Sequence, residues 1–174
     1  MNSVRLPSGY RLETLRREHP RRSFASGEEQ VDDWLRTKAL QHQNKRLSIT
    51  KVLLDETGAL AGYFTLATGQ VDFGDLPPEL AKTLPRRLLP VAVLAWLGVS
   101  AKRQRQGLGR LLLARALNDC HAAGEIFAFI AVILDCINEP AKAFYQKWQF
   151  QELPGQPYRL FLSADHLDAL VRGT

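Results

Sequence analysis

The chain has 174 residues, of which 45% are hydrophobic and 24% are charged. These proportions predict one globular domain over residues 1–174 and exclude a disordered or collagen-like chain. Lysine and arginine number 23 against 18 acidic residues, which gives a net charge of +5. This surplus favours an anionic partner, such as a phosphorylated cofactor or a nucleic acid, without choosing between them.

Neither the cysteines nor the histidines are spaced for a metal site or a disulfide framework. Cys120 and Cys136 have no C-x-x-C neighbour, and the four histidines show no H-E-x-x-H spacing. We therefore expect no bound metal. The first twenty residues contain no signal-peptide core, and the longest apolar run, Leu88 to Ala101, is too short to cross a bilayer. These features predict a soluble, cytoplasmic protein without membrane contact.

The first predicted element is a helix from about Gly27 to Gln43. Ser26 and Glu29 have the spacing of a capping box, in which each side chain satisfies a free backbone N–H group of the other residue. Apolar residues recur at helical spacing on one face, with Asp32 predicted to lie off it. The face consists of Val31, Trp34, Leu35 and Ala39.

A β-hairpin and a proline-rich segment follow the helix. Ser48–Leu54 and Leu60–Leu66 are β-prone runs, and Asp55 to Gly58 between them is typical of a hairpin loop. Residues 69–90 have no sustained period and hold four of the nine prolines. We predict a long excursion there with one helical turn at Pro78–Lys82. Such a loop is either functional or a solvated excursion.

The second half alternates apolar runs with helical patterns. Val91 to Val99 and Phe127 to Leu134 are continuous apolar runs, which suit strands buried on both faces. A helix with a wide apolar stripe begins at Leu108, and Asn138 followed by proline in the first turn predicts another. The last predicted elements are a strand at Tyr158–Leu162 and a helix at Ala164–Val171.

A basic, glycine-containing loop lies between the strand that ends at Val99 and the helix that begins at Leu108. Glycines allow the backbone to approach an anion, and a helix N-terminus offers free N–H groups and partial positive charge. The loop suits a diphosphate, although it is neither a P-loop nor a complete dinucleotide fingerprint. Simple turn chemistry is the alternative for Gly107 to Gly109. The basic residues are Lys102, Arg103, Arg105 and Arg110.

Two motifs resemble the GCN5-related N-acetyltransferase (GNAT) family. Gln104 to Gly109 is similar to the family's Q/R-x-x-G-x-G/A signature, and Ala143 to Phe150 is similar to its A-x-x-F-Y-x-x-x-G-F segment. The order of predicted elements matches the family over most of the chain. The resemblance implies an α/β (α+β) GNAT fold, with a central mixed, mostly antiparallel sheet of six or seven strands. About four helices would flank this sheet, which would be splayed at the cofactor site.

The resemblance also implies residues that bind acetyl-CoA, the acetyl donor. The pantetheine arm would pair with the backbone of Leu97, Gly98 and Val99 like an added strand. The pyrophosphate would bind the loop that follows. The loop residues are Gln104, Arg105, Gln106, Gly107, Leu108, Gly109 and Arg110. Asn138 is expected to bond the pantetheine arm, to cap its helix, or to do both.

Tyr145 is the predicted catalytic acid, with a core tyrosine as the alternative. A phenol with a pKa of about 10 stays protonated at neutral pH and can protonate a leaving thiolate. No carboxylate base stands out, since Asp135 and Glu139 each have an ordinary role in a loop or a first helical turn. An α-amine, with a pKa of about 8, can lose its proton to water. This argument favours an α-amine acceptor over a lysine.

A finer resemblance, to the toxin acetyltransferases of type II toxin–antitoxin pairs, is carried by Phe24 through Leu35 and by Gly62 to Leu66. It implies acetylation of the α-amine of an aminoacyl-tRNA, arrest of translation, a ribbon–helix–helix antitoxin and, often, a homodimer. Two basic clusters would then follow a tRNA backbone, unless they are ordinary solvated side chains. They are Arg16, Arg17, Arg21 and Arg22, and Lys82, Arg86 and Arg87.

Three residues depart from the family patterns. Trp96 stands where the toxins usually have arginine, which keeps open a GNAT enzyme that acetylates a small amine, a protein N-terminus or a lysine. Arg105 stands where many relatives have glycine, at a position expected to contribute mainly its backbone N–H. Gln149 replaces the glycine before Phe150, where the turn is open to change. A non-catalytic module that binds DNA or a partner protein is the third alternative.

Overall fold

A computed structural model of the chain describes residues 4–173. Its strands are β1 (Arg11–Thr14), β2 (Ile49–Leu54), β3 (Leu60–Asp72), β4 (Leu88–Val99), β5 (Ala131–Asp135), β6 (Gln151–Leu153) and β7 (Gln156–Ser163). The seven strands form one sheet in the order β1-β2-β3-β4-β5-β7-β6. β4 and β5 pair in parallel, and the pairs β1–β2, β2–β3, β5–β7 and β6–β7 are antiparallel. The predicted mixed, mostly antiparallel sheet is therefore confirmed.

The helices are α1 (Glu29–Asp33), α2 (Ala39–Asn44), α3 (Pro78–Ala81), α4 (Leu108–Gly124), α5 (Glu139–Gln146) and α6 (Ala164–Arg172). A π-helical turn, Trp34–Lys38, joins α1 to α2, so that residues 29–44 form one helical stretch. α3 is a single turn of four residues. This leaves four substantial helical segments in residues 4–173, as predicted. No helix in this range is long and apolar enough to span a membrane.

The described residues form two compact units. The first contains residues 4–67 and 94–116, and the second contains residues 68–93 and 117–173. β3, β4 and α4 each contribute residues to both units. That the whole chain acts as one domain stays a prediction.

The first unit has its core between the helical stretch and the β2–β3 hairpin. The predicted apolar face is confirmed, because Val31, Trp34, Leu35 and Ala39 are all buried. They pack against Leu15, Phe24, Val52, Leu54, Leu60 and Tyr63. Burial of these side chains from water is the main force that holds the helical stretch on the sheet.

The start of the helical stretch differs from the predicted capping box. Asp32, rather than Glu29, reaches back to Ser26: its Oδ1 accepts hydrogen bonds from the Ser26 N–H at 2.9 Å and from the Ser26 hydroxyl at 2.6 Å. Glu29 instead lies at the surface, 3.7 Å from Arg36. The prediction that Asp32 lies off the buried face was wrong, because a carboxylate that receives these bonds can be buried.

The second unit has a separate core beneath β5 and β7. It is formed by Val71, Leu76, Ala81, Leu89, Val91, Ala131, Ile133, Leu153 and Phe161. The predicted helical turn at Pro78 is confirmed, but the excursion around it is shorter than residues 69–90. β3 continues to Asp72 and β4 begins at Leu88, since both strand ends place apolar residues in this core.

The strand predicted from Phe127 begins only at Ala131. The Phe127 N–H still donates to the Ala123 carbonyl at the end of α4, at 2.8 Å, and the Phe127 side chain is 80% exposed. The apolar run therefore includes a helix-terminal turn before the strand starts. The strands β1 and β6 were not predicted.

Candidate active site

The carboxyl end of β4 is fixed within the first unit. The Ser100 N–H donates to the Ala61 carbonyl, and the Ala101 N–H donates to the Ala25 carbonyl, each at 2.8 Å. Leu97 and Val99 are half-buried, and Gly98 between them is buried. The segment proposed to pair with a pantetheine arm is therefore held in a defined position by its neighbours.

Neighbouring elements pack directly against the backbone of Gly98 and Gly62. A Cβ atom on Gly98 would lie 2.5 Å from Val31 Cγ1 and 3.3 Å from Tyr63 Cε1. A Cβ atom on Gly62 would lie 2.8 Å from the carbonyl oxygen of Gly98. Only residues without a side chain let β4 pass this close to α1 and β3.

The loop after β4 is tied down by Gln104. Its side-chain amide donates to the Ser26 carbonyl at 2.7 Å and to the Val99 carbonyl at 3.2 Å. The predicted site residue Gln104 thus shapes the loop through its side chain. The residues that follow, Arg105, Gln106 and Gly107, are all exposed.

Two residues of the loop have left-handed backbone conformations. Gly107 has φ of 77° and Arg105 has φ of 62°. Nothing lies within 4 Å of a Cβ built on Gly107, so glycine is favoured there by its positive φ and not by lack of space. The idea that position 105 contributes mainly an N–H group is incomplete, because its φ is one that favours glycine over arginine.

The loop opens directly into the N-terminus of α4. Leu108 is buried and anchors this end, and the Leu111 N–H donates to the Gly107 carbonyl at 3.1 Å. The amides of Leu108, Gly109 and Arg110 lie in the first turn, where N–H groups have no intrahelical acceptor. A helix N-terminus that follows an exposed loop, with basic side chains beside it, can bind a diphosphate.

Arg103 at the start of the loop already has an acidic partner. Its guanidinium lies 2.9 Å from the Asp55 carboxylate and 3.5 Å from that of Glu56. The pKa of Asp55 is lowered, first by the hydrogen bond from the Thr57 hydroxyl and then by backbone N–H groups and Arg103, against the opposing effect of burial. Arg103 therefore supports the hairpin loop, while Arg105 and Arg110 remain exposed.

Tyr145 lies in α5 of the second unit, and its side chain is buried. Its ring makes edge contacts with Phe144 and Phe150, with ring centroids 5.1 and 5.8 Å away. Burial raises the pKa of Tyr145, and the nearby thiol of Cys136 adds to this rise. The phenol therefore keeps its proton over the range in which enzymes work, as a general acid must.

α5 begins with a side-chain cap and is followed by a left-handed turn residue. The Asn138 side chain accepts a hydrogen bond from the Ala141 N–H at 2.9 Å, which confirms its capping role. Beyond the other end, Gln149 has φ of 71°. The backbone there has the left-handed conformation that favours glycine, even though glycine is absent.

The two carboxylates near Tyr145 in the sequence have partners. Asp135 accepts hydrogen bonds from Arg159 at 2.8 and 3.3 Å. Glu139 accepts one from the Tyr158 hydroxyl at 2.5 Å. These interactions give both carboxylates structural roles.

Sequence reasoning missed an aromatic stack in the first unit. The rings of Trp34 and Trp96 lie 5.4 Å apart and within 16° of parallel. His42 meets the Trp34 ring at 4.6 Å, edge to face. Helical periodicity predicted that Trp34 is buried, but no local pattern could pair it with a residue on β4.

The basic clusters belong to different units. Arg16 is exposed and lies 3.8 Å from Glu13 and 3.9 Å from Glu18, in the first unit. In the second unit, the Arg86 guanidinium lies over the Phe73 ring at 5.5 Å. Whether both contact one acceptor stays a prediction.

The motifs, sheet and helix order define a family of acetyltransferases. The model of the Acetyltransferase (GNAT) family matches residues 11–150. The chain belongs to this family and is an acetyltransferase, which confirms the predicted family and enzyme class.

Individual relatives are similar over nearly the whole chain. The "tRNA-acetylating toxin" of Mycobacterium tuberculosis (strain ATCC 25618 / H37Rv) is 33% identical over 149 residues, 86% of this chain and 89% of the relative. The crystal structure of the Y145F mutant of KacT has a TM-score of 0.86 at 23% identity, covering 93% of this chain and 99% of its own. AtaT complexed with acetyl-methionyl-tRNAfMet has a TM-score of 0.85 at 24% identity, covering 92% and 98%. The two structures show the same fold.

Proposed function

We propose that this enzyme transfers the acetyl group of acetyl-CoA to the α-amine of an aminoacyl-tRNA, and that it thereby blocks translation in the cytoplasm. The observation that carries the proposal is the 33% identity with a tRNA-acetylating toxin over 86% of the chain. The same resemblance supports a ribbon–helix–helix antitoxin as the neutralising partner and a homodimer as the assembly.

The donor site is proposed at the end of β4 and the loop after it. The backbone of Leu97, Gly98 and Val99 would pair with the pantetheine amides as an added strand. The N–H groups from Arg105 to Arg110 would bind the pyrophosphate. The open space at Gly107 and the exposed residues from Arg105 to Gly107, directly before α4, suit an anion. The Asn138 amide group is proposed to bond the pantetheine arm in addition to capping α5.

Tyr145 is proposed as the general acid. Attack of the acceptor amine on the thioester carbon forms the new C–N bond, and the C–S bond then breaks with its electron pair on sulfur. The Tyr145 hydroxyl supplies the proton that the leaving thiolate takes up. The raised pKa keeps the phenol protonated, so that its hydroxyl can donate a hydrogen bond or a proton to the sulfur as negative charge develops there.

The proton balance favours an α-amine as the acceptor. The attacking nitrogen must lose a proton, and the nearby carboxylates of Asp135 and Glu139 are engaged with Arg159 and Tyr158. An α-amine has a pKa about 2 units below that of lysine and is partly neutral at pH 7. Water can therefore accept its proton, whereas a lysine would need a base.

Labelling with radioactive acetyl-CoA tests the proposal. The acceptors are a pool of charged tRNA, the same pool deacylated, and a set of polyamines and peptides. We expect label on charged tRNA alone, and we expect it to fall as salt increases if the basic clusters bind the phosphate backbone. Label only on polyamines or peptides would assign the enzyme to small-amine or protein acetylation and refute the toxin function.

A substitution separates the role of Tyr145 from simple packing. Tyr145→Phe keeps the buried ring and removes the acid, so we expect kcat to fall about 10²-fold or more with little change in thermal stability. Tyr10→Phe is the control for loss of a phenol hydroxyl, since the Tyr10 ring packs beneath the Arg103 guanidinium, 5.9 Å from ring centroid to Cζ, and has no proposed catalytic role. An unchanged kcat in Tyr145→Phe would show that the tyrosine is only a core residue.

A further inference from the structure

The proposed donor site indicates where on β4 the acetyl group lies, and this step rests on the proposed function. The pyrophosphate is assigned to the loop after Val99. The pantetheine arm then runs backwards along the strand, past Gly98 to Leu97. Its thioester end therefore lies at the Leu97 side of the site, next to Trp96. The amine that attacks the thioester must approach this position.

Trp96 and Gly98 share one face of β4, because side chains two residues apart in a strand point the same way. Gly98 packs under Val31 and Tyr63 on that face. Trp96 stacks there on Trp34, with ring planes 16° apart. The Trp96 side chain is only partly buried where it packs against this core, so part of the indole remains available to an acceptor.

The Trp34 ring of the stack is fixed by buried hydrogen bonds. The Trp34 indole N–H donates to the Thr65 hydroxyl at 3.1 Å, and the Thr65 and Thr50 hydroxyls are 2.7 Å apart. Both threonines are fully buried. Trp34 also begins the π-helical turn, an irregularity that is frequent at functional sites. A fixed aromatic surface of this kind discriminates between ligands better than a mobile one.

We propose that Trp96 is a specificity-determining residue for the acceptor, and that it selects aminoacyl groups with apolar or aromatic side chains. The stack lies against an apolar core, and the His42 ring packs on the Trp34 ring. An apolar side chain laid on the indole gains burial and ring contacts. A charged side chain laid on the rings would instead lose part of its hydration, which is unfavourable.

The test compares kcat/KM for single tRNAs charged with phenylalanine, leucine or methionine and with aspartate or lysine. We expect the wild-type enzyme to favour the apolar set about 10-fold or more, the scale of pocket discrimination between side chains. Trp96→Ala is expected to lower kcat/KM for the apolar set about 10-fold and to leave the charged set nearly as it was. Trp96→Phe is expected to retain the preference.

Two further variants complete the test. Trp96→Arg places a positive charge at the position of the stacked indole and is expected to shift the preference towards the aspartyl acceptor. Phe127→Ala is the matched aromatic truncation at an 80% exposed site and should change nothing. Melting temperature and acetyl-CoA affinity report whether each variant is folded. If Trp96→Ala does not fold, the acceptor preference of Trp96→Phe and Trp96→Arg tests the role of Trp96.

The possible outcomes distinguish an error about Trp96 from an error about the proposed function. A wild-type enzyme that favours charged aminoacyl groups, or a Trp96→Ala variant that lowers every acceptor equally, overturns the role of Trp96 and leaves tRNA acetylation standing. A wild-type enzyme that acetylates no charged tRNA, but acetylates small amines, overturns both the selectivity and the proposed function.

Discussion

Gly98→Ala tests whether the close approach of β4 to α1 is as tight as the structure indicates. The added Cβ would lie 2.5 Å from Val31 Cγ1 and 3.3 Å from Tyr63 Cε1, whereas carbon atoms attract at about 3.5–4.0 Å. Val31 is 5% exposed, and Tyr63 is fully buried with its hydroxyl donating to the Val31 carbonyl at 2.5 Å. Neither can move without disturbing the core. Such overpacking costs about 1–3 kcal/mol of the free energy of unfolding.

For a chain of this size, each kcal/mol lowers the melting temperature by about 2–4 °C. Thermal and urea denaturation of Gly98→Ala therefore has a resolvable signal. We also expect weaker acetyl-CoA binding, because the displaced backbone is the proposed donor strand. The control is Gly74→Ala, where the nearest atom to the added Cβ, Asp72 Oδ1, is 3.6 Å away. A Gly98→Ala protein as stable as its control would refute the reasoning.

Four further predictions concern single side chains. Ser48→Ala is expected to stabilise the protein by about 1 kcal/mol, because the buried Ser48 hydroxyl has no hydrogen-bond partner within residues 4–173. Ser163→Ala removes the N-cap of α6 and is expected to lower the free energy of unfolding by about 1 kcal/mol. If urea denaturation showed Ser163→Ala to be more stable than wild type and Ser48→Ala to be less stable, both predictions would be contradicted. Since the pKa of Asp55 is lowered, its charge stabilises the fold above its ordinary pKa of about 4, and the effect is lost as pH falls below that. Asp55→Asn should therefore lower the melting temperature more at pH 7 than at pH 3, and an equal loss at both would exclude a role for the charge. Because burial raises the pKa of Tyr145, the phenol should stay protonated between pH 7 and 9, and kcat should not fall over that range. A fall in kcat over this range that is absent in Tyr145→Phe would contradict this prediction.

Elements with a long pattern of their own could be predicted from the sequence. The helical stretch and the β2–β3 hairpin follow from apolar spacing and from the Asp55–Gly58 turn. β1 and β6, of four and three residues, could not be predicted, because strands this short are defined by the neighbour they pair with. The π-helical turn could not be predicted either, because it leaves the apolar face of the helix intact and so does not alter the sequence pattern.

The candidate site was predictable where it consists of a local motif. The glycine loop and the tyrosine helix were both located in this way. The left-handed backbones of Arg105 and Gln149 were not, because neither residue type favours that conformation; the surrounding fold imposes it. The Trp34–Trp96 stack joins two residues far apart in the sequence, so only the folded structure reveals it.

The segment Phe24–Ser26 links the two features on which the proposals rest. The Phe24 carbonyl accepts hydrogen bonds from the Arg36 side chain, at 2.5 and 3.1 Å, within the π-helical turn that also contains Trp34. The next two carbonyls, of Ala25 and Ser26, accept from the Ala101 N–H and the Gln104 amide, which hold the start of the proposed donor loop. Three consecutive carbonyls thus fix both the π-helical turn that contains Trp34 and the loop proposed to bind the donor. A change in this segment would therefore disturb both at once.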